Sequence, residues 1–278
     1  MSRGDTMIGQ KKILENIDRI SKVNFPRFSI IVGQKYSGKK LIAKEISRLL
    51  EAQFINADIK VDSIREVIKL AYKQTNPTVY LLADADKMSP AAKNAILKIT
   101  EEPPQKAYFI MTITDLNNTL PTLRSRGTIF NIDPYTPDEL LQYADLKNYD
   151  LTEEEQSIVI NICTVPGEID LIVRYNIIEF YNFVETVIKN IGVVNGANAF
   201  KIASRFSYKE EDTGWNIGLF FKAIMYACRQ LMNETPSREL KEMIKVTSKY
   251  LSQLNITGVS KNSTVDMWIL ETRGVWIK

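Results

Sequence analysis

The chain has no histidine and only two cysteines, Cys163 and Cys228, among its 278 residues. Without histidine there is no His-based general base and no Ser-His-Asp or Cys-His triad. Two cysteines cannot build a Cys/His zinc site, imply no disulfide framework and fit a reducing compartment. Long apolar runs are also missing. None approaches the ~18–20 residues of a membrane span, and the opening MSRGDTMIGQKK holds no apolar core of a signal peptide. Charge of one sign is not concentrated either: 36 Lys and Arg against 33 Asp and Glu leave +3. That balance is too mild to argue nucleic-acid binding by itself, and a solvated mixed surface is the default. The expectation is a soluble cytoplasmic protein with no zinc and no membrane partner. What is present is ordinary for a globular chain. Hydrophobic residues make up 45%, and the length suggests two or three domains at about 100–200 residues each.

Phe28–Val32 (FSIIV) is a short β-rich run that stops at Gly33 and reads as a buried strand. Lys39–Leu50 then repeats apolar residues at the helical period, so strand, glycine loop and helix follow one another directly. Phe54–Ala57, Thr78–Leu82 and Tyr108–Ile113 are further strand candidates, with helices expected over Met7–Lys22 and Val61–Lys73. Such alternation argues for a mostly parallel sheet covered on both faces. After Asp133-Pro134 the strand signals nearly stop. Thr136-Pro137-Asp138-Glu139 is a helix start, Thr152 with Glu155 a capping box, and Pro166-Gly167 opens a third short piece. Longer helices are predicted over Ile177–Ile191, Ala197–Phe206, Gly214–Met232 and Ser237–Gln253. Phe180, Tyr181, Phe183, Trp215, Phe220 and Phe221 are expected to pack between them as core.

GQKYSGKK at Gly33–Lys40 matches the phosphate-loop pattern G-x-x-x-x-G-K. Glycines at 33 and 38 let backbone N–H groups around Ser37 point inward at phosphate oxygens, and the following helix adds its positive end. Lys39 is placed to reach the β- and γ-phosphates. The next position should carry the Ser or Thr hydroxyl that holds Mg²⁺, and it is Lys40. Phosphate binding does not depend on that hydroxyl; metal-assisted hydrolysis loses a ligand. A glycine turn that binds nothing is the plain alternative.

Asn94-Ala95-Ile96-Leu97-Lys98 followed by Glu101-Glu102-Pro103-Pro104 resembles the N-A-L-L-K-x-x-E-E-P-P signature of clamp-loader AAA+ subunits. An ATPase of this type places Asp-Glu beyond its third strand, for Mg²⁺ and for the attacking water. Counting back from Asn94 puts Ala83 at the Asp and Asp84 at the Glu; a slip of one residue puts Asp84 at the Asp and Ala85 at the Glu. Either register loses one acid. Asp84 and Asp86 could instead cap the next helix or face water. Leu123-Arg124-Ser125-Arg126-Gly127 is similar to the family's Ser-Arg-Cys motif, with Gly127 in place of Cys. The resemblance implies that Arg126 is an arginine finger for the ATP of a neighbouring subunit, a task suited to a permanently charged fork. A surface arginine at a strand start is the alternative. Thr114 falls at the family's polar sensor of the γ-phosphate, and Ile8-Gly9-Gln10 resembles its adenine-side I/V-G-Q segment. Thr164-Val165-Pro166-Gly167 sets Gly167 where ATPase members carry a lid arginine. That stretch is similar to the S-P-G of the bacterial delta-prime subunits, the catalytically silent branch.

The resemblance implies an AAA+ P-loop α/β core with a parallel sheet (1–134), a small helical lid (135–176) and an all-α collar for oligomerisation (177–278). It implies a non-hydrolysing subunit of a DNA polymerase III type clamp loader. Its partners would be other loader subunits, the sliding clamp and, through the complex, primed DNA. ATP or ADP is the implied ligand, with Mg²⁺ weakly held or absent. Two other functions stay open: an active ATPase motor using Lys39 and Asp84, and a DNA-binding adaptor using Lys87, Lys93 and Lys98.

Overall fold

Five apolar or half-apolar runs form one parallel sheet: β1 (Phe28–Val32), β2 (Gln53–Ala57), β3 (Thr78–Leu82), β4 (Ala107–Ile113) and β5 (Thr128–Asn131), in the order β2-β3-β4-β1-β5. The structure is a computed structural model and describes residues 7–20, 22–193, 199, 202, 206, 215–254 and 261–276. Every residue of β3 and β4 is buried, as central parallel strands covered on two faces must be. Alternation divides their side chains. Tyr80, Leu82, Phe109 and Met111 join one core with Ile64 of α3 (Val61–Ala71) and Ile96 and Ile99 of α4 (Pro90–Glu101). Val79, Leu81, Tyr108 and Ile110 join the other with Ile17 of α1 (Lys11–Arg19) and Ile42 and Ile46 of α2 (Lys39–Leu49). Tyr80 and Phe109 stack at 5.3 Å between centroids. Large apolar side chains buried this fully contribute about 1.5–3 kcal/mol each.

The four expected strands are present. β5 had no apolar run to announce it: only Ile129 and Phe130 are apolar, and three of its four residues are exposed. It forms because it is an edge strand, paired to β1 alone with Ile30 opposite Ile129. Glycine begins its approach, since a Cβ at Gly127 would lie 2.9 Å from Ile30 Cγ1 and 3.0 Å from Phe28 Cε1.

The chain divides into two units, residues 1–139 and 140–278. Past the sheet the described elements are helices: α6 (Pro137–Leu146), α7 (Glu153–Ile162), α8 (Pro166–Arg174), α9 (Ile177–Asn190), α10 (Ile217–Glu234), α11 (Arg238–Gln253) and α12 (Lys261–Trp276). Their starts follow the sequence. Thr136 and Glu139 exchange hydrogen bonds before α6, and Thr152 and Glu155 form the capping box of α7. Asn176, Asn216 and Ser237 cap α9, α10 and α11. The aromatics pack as core: Phe180 and Phe183 meet Trp215 edge-on, and Trp268 of α12 lies against Phe220 and Phe221. The buried Trp268 indole donates to Thr247 Oγ1 at 3.0 Å, so its one polar atom is satisfied. The helix predicted over Ala197–Phe206 lies largely outside the described residues, as does Gly214.

Candidate phosphate loop, acidic strand end and arginine

Strands β3, β4 and β1 are neighbours, so their carboxyl ends lie side by side, where parallel sheets hold their ligands. The β1 end runs into Gly33–Lys40, the β3 end into Ala83–Asp86, and the β4 end into Thr114. The motifs separated in sequence are thereby brought together.

The phosphate loop is closed on itself. Lys39 Nζ donates to the carbonyls of Gly33 and Gln34, both at 2.7 Å, and Ser37 Oγ donates to the Gln34 carbonyl at 2.7 Å. Gly38 has φ +85°, a left-handed conformation that favours glycine, and stands at the cap of α2. Lys39 is buried, and burial lowers its pKa below that of a free lysine. Asp84 and then Asp86 oppose the shift, while Lys35 adds to it. A desolvated ammonium at a helix N-terminus is stabilised by an arriving anion, which is the property a phosphate site needs. Lys40 is exposed; a cation there supplies charge but no metal ligand.

At the β3 end Ala83 has no polar side chain. Asp84 takes φ +51°, its N–H donates to Thr112 Oγ1 at 3.0 Å, and its carboxylate pairs with Lys87 at 3.2 Å. Asp86 neither caps a helix nor simply faces water. Its Oδ2 accepts from the Thr114 N–H at 3.2 Å and from the Thr114 hydroxyl, while its Oδ1 is buried with no hydrogen-bond partner. Thr114 is therefore held by a carboxylate of its own chain. Nothing in the sequence pattern marks that pair, which forms because β3 and β4 are adjacent. Of the three lysines considered for DNA, Lys93 donates to the carbonyls of Asn118 (2.7 Å) and Asp86 (3.4 Å), Lys87 pairs with Asp84, and Lys98 is exposed near the end of α4.

Arg126 follows the short helix α5 (Pro121–Arg124). Its Nη1 donates to the Thr122 carbonyl at 2.6 Å, and its Nη2 pairs with Glu101, the first acid of the E-E-P-P stretch. Two sequence motifs thus meet through one ion pair. Gly167 lies in the first turn of α8. There Glu168 accepts from the Thr164 N–H at 2.8 Å and pairs with Lys222 of α10 at 2.6 Å.

Tyr135 had no signal in the sequence. Its hydroxyl donates to the Ser37 carbonyl at 3.0 Å across 98 positions. Burial pushes its pKa up to about 12. Among the described residues no helix is long and apolar enough to cross a membrane.

Comparison with known proteins agrees with this layout. Residues 10–136 match the family profile described as DNA polymerase III, delta subunit. DNA polymerase III subunit gamma of Buchnera aphidicola subsp. Schizaphis graminum is 31% identical over 112 residues, covering 38% of this chain and 31% of that protein. DNA polymerase III subunit delta' of Haemophilus influenzae is 30% identical over 103 residues, covering 36% and 31%. The chain thus spans about a third of the length of these curated relatives. The RuvB Holliday junction branch migration motor of Thermotoga maritima superposes with a TM-score of 0.52 at 17% identity, over 92% of this chain and 91% of that one. That likeness shows the fold: an α/β P-loop core followed by helices.

Proposed function

We propose that this chain, whose residues 10–136 match the family profile described as DNA polymerase III, delta subunit, is a delta-prime-like subunit of a clamp loader that hydrolyses no ATP itself. The observation that carries the reading is the asymmetry between the phosphate loop and the strand end beside it. The loop is formed, with Lys39 seated and Gly38 left-handed. The metal half lacks donors: Lys40 stands where the hydroxyl is expected, one acid is lost at Ala83 or at Ala85 depending on register, and Thr114 is engaged by Asp86. A nucleotide's phosphates fit this loop through Gly33, Ser37, Gly38 and Lys39. When bound, ATP would supply the γ-phosphate that a neighbour reads; this chain would bind and orient it without activating water.

In this reading Arg126 acts in trans. Its side chain is docked by Glu101 and Thr122 at the end of a helix, ready to exchange one carboxylate for a neighbour's phosphate. A lid would span 135–176, beginning in the last residues of the first unit, and a collar 177–278 within the second. Support for a collar that assembles comes from α12, whose Met267 and Leu270 are each 52% exposed and whose Gly274 has open space where a Cβ would sit. The partners are other loader subunits, with the sliding clamp and primed DNA reached through the complex in the cytoplasm.

The test is to mix the chain with its organism's clamp-loader ATPase subunit and measure mass by size exclusion with light scattering. A defined hetero-oligomer is expected. In that complex Arg126→Ala should leave assembly intact and lower ATP turnover by the share of one site, since a finger contributes about 10³–10⁵ in rate where it has been measured. Normal turnover with clamp and primed DNA would remove the finger assignment, and a chain that stays monomeric would remove the loader reading.

A further inference from the structure

We propose that Tyr135 is a positioning residue of the phosphate loop, fixing its conformation for the phosphates of a nucleoside di- or triphosphate through the Ser37–Gly38 peptide. The ligand class rests on the nucleotide reading above; the contact itself does not.

The Tyr135 hydroxyl donates to the Ser37 carbonyl at 3.0 Å. A trans peptide is planar, so the Gly38 N–H points opposite to that carbonyl. Holding the carbonyl toward Tyr135 turns the Gly38 N–H away from it, and the hydrogen bond polarises the same peptide group, which strengthens its N–H as a donor. Tyr135 uses only an acceptor of the loop. It does not compete for the N–H groups that an anion needs. The direction matters because Gly38, at φ +85°, has little steric preference of its own to hold one orientation.

Tyr135 is in turn held by the N-terminal segment. The Gln10 amide grips the backbone of Asp133 at both ends: Nε2 donates to its carbonyl at 2.8 Å, and Oε1 accepts from its N–H at 2.9 Å. Gln10 is only 5% exposed. Pro134 follows with its restricted φ, leaving the chain little freedom before Tyr135. The Tyr135 ring edge also fills the side of Gly9, where a Cβ would lie 3.2 Å from Cε1. The segments of Gln10, Ser37 and Tyr135 thus meet around one tyrosine. Because burial raises its pKa, that hydroxyl keeps its proton, and so its donor role, at ordinary pH.

The test uses the full chain with Tyr135→Phe, which keeps the ring and removes only the hydroxyl. ATP and ADP are titrated calorimetrically, and Lys39→Ala serves as reference. Loss of one neutral hydrogen bond predicts Kd raised about five- to tenfold in Tyr135→Phe with an unchanged stoichiometry. Gln10→Ala should shift Kd in the same direction. If Lys39→Ala abolishes binding and Tyr135→Phe leaves Kd unchanged, the Tyr135 proposal is overturned while the nucleotide reading stands. If the wild-type chain binds neither nucleotide, that reading fails, and amide exchange across residues 34–40 decides the rest. Faster exchange in Tyr135→Phe upholds the positioning role; unchanged exchange overturns it.

Discussion

The phosphate loop follows β1 and the acidic strand end follows β3, with β4 between them, and the two are built differently. The loop's shape is secured by its own backbone. Lys39 is bound to two loop carbonyls, Ser37 to a third contact, and Gly38 supplies the left-handed turn. Substituting a side chain at Lys40, which is exposed, leaves all of this in place. The strand end depends instead on what its side chains present. There Ala83 presents no polar side chain, Asp84 is paired with Lys87, and Asp86 is bound to Thr114. A loop secured by main chain keeps its form whatever stands at an exposed position; a strand end built from side chains takes the partners its neighbours offer.

Five variants can break or sharpen that contrast. The largest effect is expected from Lys39→Ala, which should weaken ATP binding ~100-fold, on the order of 3 kcal/mol, because a charge-assisted contact to phosphate is lost. Calorimetric titration measures it, and a loss below threefold would mean the loop binds by backbone alone. Asp86→Ala should destabilise the chain by about 1–2 kcal/mol in urea unfolding, since two donors on Thr114 lose a carboxylate. The buried, unpartnered Oδ1 works against that figure, so Asp86→Asn should cost less than Asp86→Ala. A neutral Asp86→Ala would show that the strand end has not been put to structural use. Next comes Lys40→Thr combined with Ala83→Asp, which introduces two oxygen donors for a metal. Mg²⁺ should tighten ATP binding by about tenfold in this variant, roughly 1.4 kcal/mol, and much less in the parent. Equal Mg²⁺ dependence in both would blur the distinction between the two regions. The smallest effect is Ser37→Ala, about 1 kcal/mol by thermal or urea unfolding, for one hydrogen bond to the Gln34 carbonyl.

Much of this was legible in the residues. FSIIV, GQKYSGKK and the apolar period after it announce strand, loop and helix because each is a local pattern. The caps at Thr136 and Thr152 are also local, four-residue signals, and both form. β5 was harder, since an edge strand with one buried residue carries no apolar run. The pairs that define the candidate site were not readable at all. Asp86 with Thr114, Arg126 with Glu101, and Tyr135 with Ser37 join positions 28, 25 and 98 apart. Each depends on which strands are neighbours, and strand order is not written in periodicity. Lys93 teaches the same lesson from the other side. Its charge suggested a partner in solution, and the fold gives it two backbone carbonyls instead.

Gly127 carries a consequence for how this chain can change over generations. Its missing Cβ is filled by Ile30 and Phe28 of the adjoining strand, at 2.9 and 3.0 Å. Ile30 is fully buried and has nowhere to retreat. A cysteine at this position is therefore closed as a first step: the side chain must meet the core before it can meet anything else. Only when both the Ile30 Cγ1 and the Phe28 ring edge have given way does the route open. The residue beside the arginine and the residue under the sheet have become a matched pair, and the order in which they could be exchanged is set by packing.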